Sequence, residues 1–141
     1  MATIRLFIDH PKPPAIKKRL LIRQAGDVSL HEKVSWESVN IILTTDESLL
    51  AMNRTYLQHD YETDVISFGL HEPGKPVVGE IYISLDQARV QAREYKVPVA
   101  QEISRLVIHG ALHLCGYDDQ TISQQEIMRK KEEFYLTKVP D

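Results

Sequence analysis

The chain has 141 residues, of which 43% are hydrophobic and 26% are charged. These proportions are ordinary for a globular protein, so they exclude a disordered or fibrous chain and predict one domain spanning residues 1–141. The net charge of −3 creates no general positive field, so any contact with nucleic acid has to come from a local cluster of cations.

The N-terminal part of the chain predicts short strands that are separated by helices. Residues 3–8 alternate as a strand does, and a proline-rich segment then leads into a helix predicted over residues 15–25. Residues 39–44 are β-branched and apolar, which predicts a second strand. Asp46 is predicted to cap the next helix, which runs towards residue 56.

The C-terminal part predicts two strands and then three helices. The strands cover residues 65–68 and 78–85, and a loop rich in proline and glycine joins them. Asp86 is predicted to cap a helix that ends near residue 95, and Pro98 precedes a helix over residues 99–114. The last helix is predicted over residues 120–136, with a weak apolar face formed by Ile122, Ile127, Met128 and Phe134.

These elements are mixed rather than strictly alternating, which predicts an α+β fold. We expect a small mixed sheet of about four strands, packed with about five helices. The helix over residues 99–114 carries apolar residues on one continuous stripe and on much of its opposite side. It is therefore predicted to be the central, buried helix.

Two histidines stand near the end of this central helix. His109 and His113 are four residues apart, so both imidazoles lie on one side of the helix, one turn above the other. A buried imidazole needs a partner for each ring nitrogen, and one shared metal ion would satisfy a nitrogen on each ring. The alternative is a pair of histidines that are hydrogen-bonded separately.

The residues after the second histidine can supply a third ligand. Gly116 suits a left-handed turn at the end of the helix, which would bring Asp119 or Asp118 back over the last turn. Zinc sites that keep a position open for chemistry use three protein ligands and a water, and a carboxylate is an acceptable third ligand. Cys115 points away from the histidines and is predicted to be a small core residue.

Glu102 lies two turns before His109 on the same helix face. It is expected either to orient a ring nitrogen of a metal-binding histidine or to form a salt bridge with Arg105 on the helix surface. Thr63, Asp64 and Ser67 lie at or just before a predicted strand. They are interpreted either as a turn with a strand hydroxyl or as the lining of a cleft.

The predicted location is the cytoplasm. Cys115 is the only cysteine, so no intrachain disulfide can form and the protein has no need of an oxidising compartment. The N-terminus lacks the pattern of a secretory signal, and no apolar stretch approaches the length of a membrane span. The sequence gives no indication of the oligomeric state.

Residues 109–119, HGALHLCGYDD, resemble the hallmark H-G-x-L-H-L-x-G-Y-D-H of the YbeY family of bacterial ribosomal RNA maturation factors. Asp119 stands where the family usually has a third histidine ligand. Residues 52–56 and 63–68 are similar to the family's L-N-x-x-Y-R and T-D-V-L-S-F-P blocks, and residues 79–84 are similar to its G-D-I-x-I-S strand.

The resemblance implies metal-dependent cleavage of single-stranded RNA. The expected role is maturation of the 3′ end of small-subunit (16S) ribosomal RNA and ribosome quality control, with the small subunit or its proteins as partners. One zinc ion per chain is the expected metal, with another divalent transition metal as the alternative. His109, His113 and Asp119 are the implied ligands, and the bound water is the nucleophile or its source. No membrane partner is expected.

Leu57 is the main departure from the family pattern, because it replaces an arginine that would contact an RNA phosphate. Arg54, one helical turn earlier, is predicted to reach the same space. Leu57 also favours an alternative function, a ribosome-associated RNA-binding factor with a mainly structural zinc and little or no cleavage activity.

A third class of function is a metal-dependent hydrolase of peptides or small molecules. The spacing of the histidines and of Gly116 is similar to the zinc-protease motif H-E-x-x-H-x-x-G-x-x-H. In those proteases the glutamate beside the first histidine is the general base, and Gly110 occupies that position here. The pattern therefore disfavours peptide hydrolysis.

Overall fold

The computed structural model describes residues 2–57 and 63–138, and these form one mixed four-stranded sheet. The strands are β1 (Thr3–Ile8), β2 (Trp36–Thr44), β3 (Val65–Gly69) and β4 (Val77–Ser84), in the order β1-β2-β4-β3. The strands β1, β2 and β4 run parallel. At the edge, β3 pairs antiparallel with β4. One backbone edge of β3 is therefore not used for pairing within the sheet.

Five α-helices accompany the sheet in the described residues. They are α1 (Lys18–His31), α2 (Asp46–Met52), α3 (Leu85–Tyr95), α4 (Val99–Leu114) and α5 (Ile122–Thr137). A short π-helical turn, Asn53–Leu57, continues α2. The predicted α+β fold, a small domain with a mixed sheet, is thus confirmed. None of the helices in the described part of the chain is long and apolar enough to cross a bilayer.

The helix α4 is central, because it packs against α1, α3, α5 and the strands β3 and β4. The stripe residues Leu106 and Ala111 and the opposite-side residues Ile108 and Leu112 are all fully buried. The prediction that the second half of this helix is enclosed is therefore confirmed. Each large aliphatic side chain buried in this way contributes roughly 1.5–3 kcal/mol to folding.

Gly110 allows α4 to lie very close to the sheet. A Cβ atom at this position would lie 2.5 Å from Cγ2 of Ile81, a contact that real side chains do not make. The hydroxyl of Ser67 on β3 donates a hydrogen bond of 3.0 Å to the Gly110 carbonyl oxygen. The position where zinc proteases carry their glutamate thus has no room for any side chain.

Several elements depart from the predicted bounds, among them β2, which begins at Trp36 rather than at residue 39. The helix α1 covers residues 18–31 rather than 15–25, because it continues through Gly26 and the chain reverses only at Lys33, which has φ of 59°. The caps of α2 and α3 are Thr45 and Ser84, one and two residues before the predicted aspartates. Short hydroxyl side chains accept the N-terminal backbone N–H groups at both sites.

The predicted apolar face of α5 is wrong for three of its four residues, and only Met128 is buried as predicted. Ile122 is 77% exposed, and Ile127 and Phe134 are also exposed, whereas the buried residues of the helix are Met128, Glu132 and Tyr135. The helix begins after Thr121, which forms a capping box with Gln124. The side of the helix that carries Glu132 faces the interior because Glu132 has polar partners on α4, which are described below.

Candidate metal centre

His109 and His113 lie on successive turns of α4 with their rings close together. Their Nε2 atoms are 3.0 Å apart, and the ring planes are inclined at 75°. Both side chains are largely buried but keep some exposure, 15% for His109 and 24% for His113. The last two turns of α4 therefore present two ring nitrogens to one point near the surface.

The chain reverses directly after α4 and brings an acid to the same point. Gly116 has φ of +101°, a conformation that glycine adopts without strain. The carboxylate oxygen Oδ2 of Asp119 then lies 3.2 Å from Nε2 of His109 and 3.5 Å from Nε2 of His113. Asp119, rather than Asp118, completes a group of three that could hold a metal among the described residues.

Hydrogen bonds fix which nitrogen of each ring carries the proton. Nδ1 of His109 lies 2.6 Å from Oε2 of Glu132, and Nδ1 of His113 lies 2.8 Å from the Tyr117 carbonyl oxygen. Both partners are acceptors, so each Nδ1 carries a proton and each Nε2 of the neutral ring presents a lone pair. With both rings neutral, the two Nε2 atoms and the Asp119 oxygen thus present lone pairs to one another.

This arrangement fits a tetrahedral metal ion. At metal–ligand bonds of about 2.0–2.1 Å, neighbouring ligand atoms of a tetrahedral zinc lie about 3.3 Å apart. The observed separations of 3.0, 3.2 and 3.5 Å are close to that value. A cation would also remove the repulsion between the three lone pairs, and a set of two imidazoles and one carboxylate leaves the fourth position free.

Cys115 takes no part in this group. It packs against the hydrophobic core, and burial raises the pKa of its thiol to about 11. The thiolate form that binds metals is therefore disfavoured at neutral pH. This agrees with the predicted role of Cys115 as a core residue.

A buried ion-pair network holds the His109 ring at its Nδ1 side. Glu132 accepts from Nη1 of Arg105 at 3.0 Å through the oxygen that does not contact His109. Arg105 also makes two hydrogen bonds, of 2.6 and 2.8 Å, with Glu102. Of the two roles considered for Glu102, the salt bridge with Arg105 is therefore the one found, although Glu102 is buried and the pair does not lie on the helix surface as predicted. The partner of His109 is Glu132, which sequence reasoning missed.

The network shifts the titration of both members of the His109–Glu132 pair. Burial opposes ionisation of Glu132, but the hydrogen bonds from His109 and Arg105 outweigh it and lower the pKa of this carboxyl group. Burial likewise opposes protonation of His109, but Glu132 outweighs it and raises the pKa of the imidazole. Glu132 therefore remains an ionised acceptor at neutral pH.

A cleft of about 600 Å³ opens beside the three candidate ligands. Its walls include Thr63, Ser67 and His71 on the β3 side and His113 and Asp119 on the other. The cleft-lining interpretation thus holds for Thr63 and Ser67. Asp64 instead accepts a hydrogen bond of 3.2 Å from Gln91 of α3.

The structure does not bring Arg54 into the described lining of this cleft. Arg54 is an exposed residue of the π-helical turn, and its neighbour Asn53 lines the cleft. The phosphate contact of Arg54 stays a prediction. The side chain of Leu57 and the whole of His59 lie outside the described part of the chain.

Comparisons with known proteins agree with the motifs. The sequence model of the family described as Endoribonuclease YbeY matches residues 12–140. A protein of Amoebophilus asiaticus named Endoribonuclease YbeY is 37% identical over 135 residues, covering 96% of this chain and 92% of the relative. A protein of the same name from Parabacteroides distasonis is 38% identical over 138 residues, covering 98% and 96%.

The fold is also similar to the solution structure of TM1509 from Thermotoga maritima. The TM-score is 0.62 at 28% sequence identity, and the alignment covers 95% of this chain and 87% of that one. The matched relatives span almost the full length of the sequence, including the histidine motif and the acid that follows it. This chain belongs to the YbeY family.

Proposed function

We propose that the chain is a metal-dependent endoribonuclease that is specific for single-stranded RNA. Its proposed role is maturation of the 3′ end of 16S ribosomal RNA and ribosome quality control, in the cytoplasm and in contact with the small ribosomal subunit. The convergence of three potential ligand atoms at one point supports the metal dependence. The name of the relatives, Endoribonuclease YbeY, supports the choice of reaction.

His109, His113 and Asp119 are the proposed metal ligands, and zinc is the proposed metal. Zinc supplies a bound water with a pKa near 7 and a Lewis acid for a phosphoryl oxygen. Glu132 and the Tyr117 carbonyl hold the Nδ1 protons, so that both Nε2 atoms point to the shared site. The Asp119 side chain is 38% exposed, which leaves the site open to solvent and substrate.

The bound ion would remain positively charged. Two neutral imidazoles and one carboxylate leave a divalent ion with one net positive charge, which attracts a phosphodiester. Asp119 in place of a third histidine lowers that charge by one and makes the metal-bound water less acidic. Arg54, on the turn that follows α2, is the proposed additional contact to a phosphate.

The test is single-turnover cleavage of single-stranded RNA by the purified protein, with and without chelator, together with metal analysis. We expect about one zinc per chain, and we expect His113→Ala to lose both the zinc and the cleavage. His31→Ala is the matched control, because His31 is exposed and does not belong to the group of candidate ligands. Intact cleavage and full zinc content in His113→Ala would reject the proposal.

The second candidate is an RNA-binding factor with a structural zinc, and Leu57 in place of the family arginine favours it. In that case the metal-loaded protein binds single-stranded RNA but leaves it uncut, and chelation lowers the thermal stability sharply. Cleavage that is abolished by chelator, under conditions where the protein remains folded, distinguishes the first candidate from the second.

A further inference from the structure

A second groove reaches the candidate metal centre from the side opposite β3. It has a volume of about 190 Å³ and is lined by Tyr95, Arg105, His109, Asp119 and Arg129, among others. A further depression of about 390 Å³ shares Tyr95, Arg105, Arg129 and Glu132 with it. We call the two together the α3–α5 groove, because its walls come from the end of α3, from α4 and from α5.

The two sides of the metal centre differ in where their lysine and arginine side chains lie. Among the described residues that line the cleft beside β3 there is no lysine or arginine, and both Asp118 and Asp119 lie there. The α3–α5 groove contains Arg105 and Arg129, together with the carboxylates of Asp119, Glu102, Glu132 and Glu133. A phosphate chain that crosses the metal centre therefore finds its cations on the α3–α5 side.

Only one of these two arginines is available to a ligand. The guanidinium of Arg105 is occupied by Glu102 and Glu132 at 2.6–3.0 Å. Arg129 is exposed and makes no hydrogen bond or ion pair with any residue in the ranges 2–57 and 63–138. Arg129 thus offers a guanidinium that has no ion-pair partner among the described residues, in the groove that also contains His109, Asp119 and Glu133.

An exposed aromatic ring lies in the same groove. Tyr95, the last residue of α3, is 56% exposed. The Arg105 guanidinium carbon lies 5.7 Å from the centre of the Tyr95 ring, so a fixed cation supports the ring from one side. Proteins that bind single-stranded nucleic acid combine such rings, on which bases stack, with cations that contact the phosphates.

We propose that the α3–α5 groove binds the nucleotide of single-stranded RNA next to the scissile phosphate. Arg129 contacts the phosphate of this nucleotide, and Tyr95 stacks on its base. The inference rests on the proposed function. It gives the substrate a path across the metal centre, from the cleft beside β3 to the groove beside α5. Arg129 also supplies a phosphate contact in a chain that has Leu57 at the position of the family arginine.

The phosphate contact is tested with Arg129→Gln in the zinc-loaded, full-length protein. The probe is a fluorescent single-stranded oligouridylate, whose dissociation constant is measured at several salt concentrations. We expect weaker binding, and a slope of log affinity against log salt that is shallower by about 0.7 for the loss of one phosphate contact to a single strand. Lys130→Gln, which removes an exposed cation next to it outside the groove, should change neither quantity.

The stacking contact is tested with Tyr95→Leu, which keeps an apolar side chain but removes the ring. Affinity for the oligouridylate should fall roughly 5- to 100-fold. Affinity for an abasic strand of the same length should be unchanged by Tyr95→Leu and weakened by Arg129→Gln. Zinc content and thermal unfolding, measured for every variant, should match those of the wild type.

The outcomes separate this inference from the function on which it rests. A wild-type protein that neither binds nor cleaves single-stranded RNA overturns both proposals. A wild-type protein that cleaves RNA, with Arg129→Gln and Lys130→Gln equal to it in affinity and salt slope, overturns the groove and leaves the endoribonuclease proposal intact.

Discussion

At the scale of single residues, the hydrogen-bond acceptors at Nδ1 of His109 and His113 decide which kind of ligand the candidate centre can bind. An imidazole with an unconstrained Nδ1 exchanges between tautomers, and each exchange would turn a lone pair into a donor. Glu132 and the Tyr117 carbonyl prevent that exchange at His109 and His113. The carboxyl of Glu132 is itself held by Arg105, so the His109 ring is fixed through two successive contacts.

Gly110 gives the first stability prediction. Gly110→Ala should lower the free energy of unfolding by about 1–3 kcal/mol, because its Cβ would lie 2.5 Å from Ile81 Cγ2 in a fully packed region. The measurement is urea denaturation followed by circular dichroism.

Gly26→Ala is the matched control for this prediction. Gly26 also lies within a helix, but its Cβ would meet only Cδ1 of Ile4 at 3.4 Å, an ordinary contact. Here the better helix propensity of alanine should raise the free energy of unfolding by about 0.5–1 kcal/mol. Equal effects of the two substitutions would contradict the close approach of α4 to the sheet.

At the scale of elements, Glu32 joins the end of α1 to the loop that follows α4 and to α5. Its carboxylate accepts hydrogen bonds from the hydroxyl of Tyr117 at 2.5 Å, from the hydroxyl of Tyr135, and from Lys131 at 3.1 Å. Because the carbonyl of Tyr117 orients His113, Glu32 also steadies the backbone that positions the second histidine.

The hydrogen bonds of Glu32 predict a pH dependence of stability. Burial opposes ionisation of Glu32, but the bonds from Tyr117, Tyr135 and Lys131 outweigh it and lower the pKa of the carboxyl below its ordinary value of 4.5. A lowered pKa in the folded state stabilises the protein above the ordinary pKa, and this contribution is lost as the pH falls through the folded-state value.

The test compares the wild type with Glu32→Gln by urea denaturation between neutral pH and about pH 3. We expect the wild type to have the higher free energy of unfolding at neutral pH. The difference from Glu32→Gln should shrink progressively below pH 4.5. Glu37→Gln, which changes an exposed acid on β2, should be indistinguishable from the wild type throughout this range. If the difference in free energy of unfolding between the wild type and Glu32→Gln stays constant over this pH range, the charge of Glu32 does not contribute to stability.

The sequence predicted those features that depend on residues close together along the chain. The bounds of α4 were predicted correctly because Pro98 precedes the helix and Gly116 reverses the chain after it. The spacing of His109 and His113 likewise predicted that their rings share one side. Features that depend on packing between distant segments were missed, because α5 has too little apolar patterning to show which of its faces turns towards α4.

Glu132 is the clearest example of such a miss. It lies 23 residues after His109, and only the packing of α5 against α4 brings the two together. A signal was nevertheless present: Glu132 follows Met128 by one helical turn, so it lies on the same face as an apolar residue of α5. Tyr95 at the end of α3 and Arg129 in the middle of α5 had no shared motif that could connect them.

At the scale of the whole molecule, the candidate metal centre connects elements that are far apart in the sequence. Its ligands come from α4 and the following loop, and their supports come from α5 and, through Glu32 and Tyr117, from α1. A ligand that binds only the folded state stabilises it by about 2.7 kcal/mol at one hundred times its dissociation constant. Zinc should therefore stabilise the entire fold rather than one helix end.

We expect saturating zinc to raise the melting temperature of the metal-free protein by about 5–10 °C. This shift is the free energy of zinc binding divided by the usual entropy of unfolding for a chain of this size. His113→Ala should lose most of the shift, because one of three ligand atoms is removed. His31→Ala should keep it. Magnesium should produce a much smaller shift, since it prefers oxygen ligands in octahedral geometry and the centre offers two nitrogens. A melting temperature that zinc leaves unchanged in the wild type would mean that the three lone pairs of the centre do not share a cation.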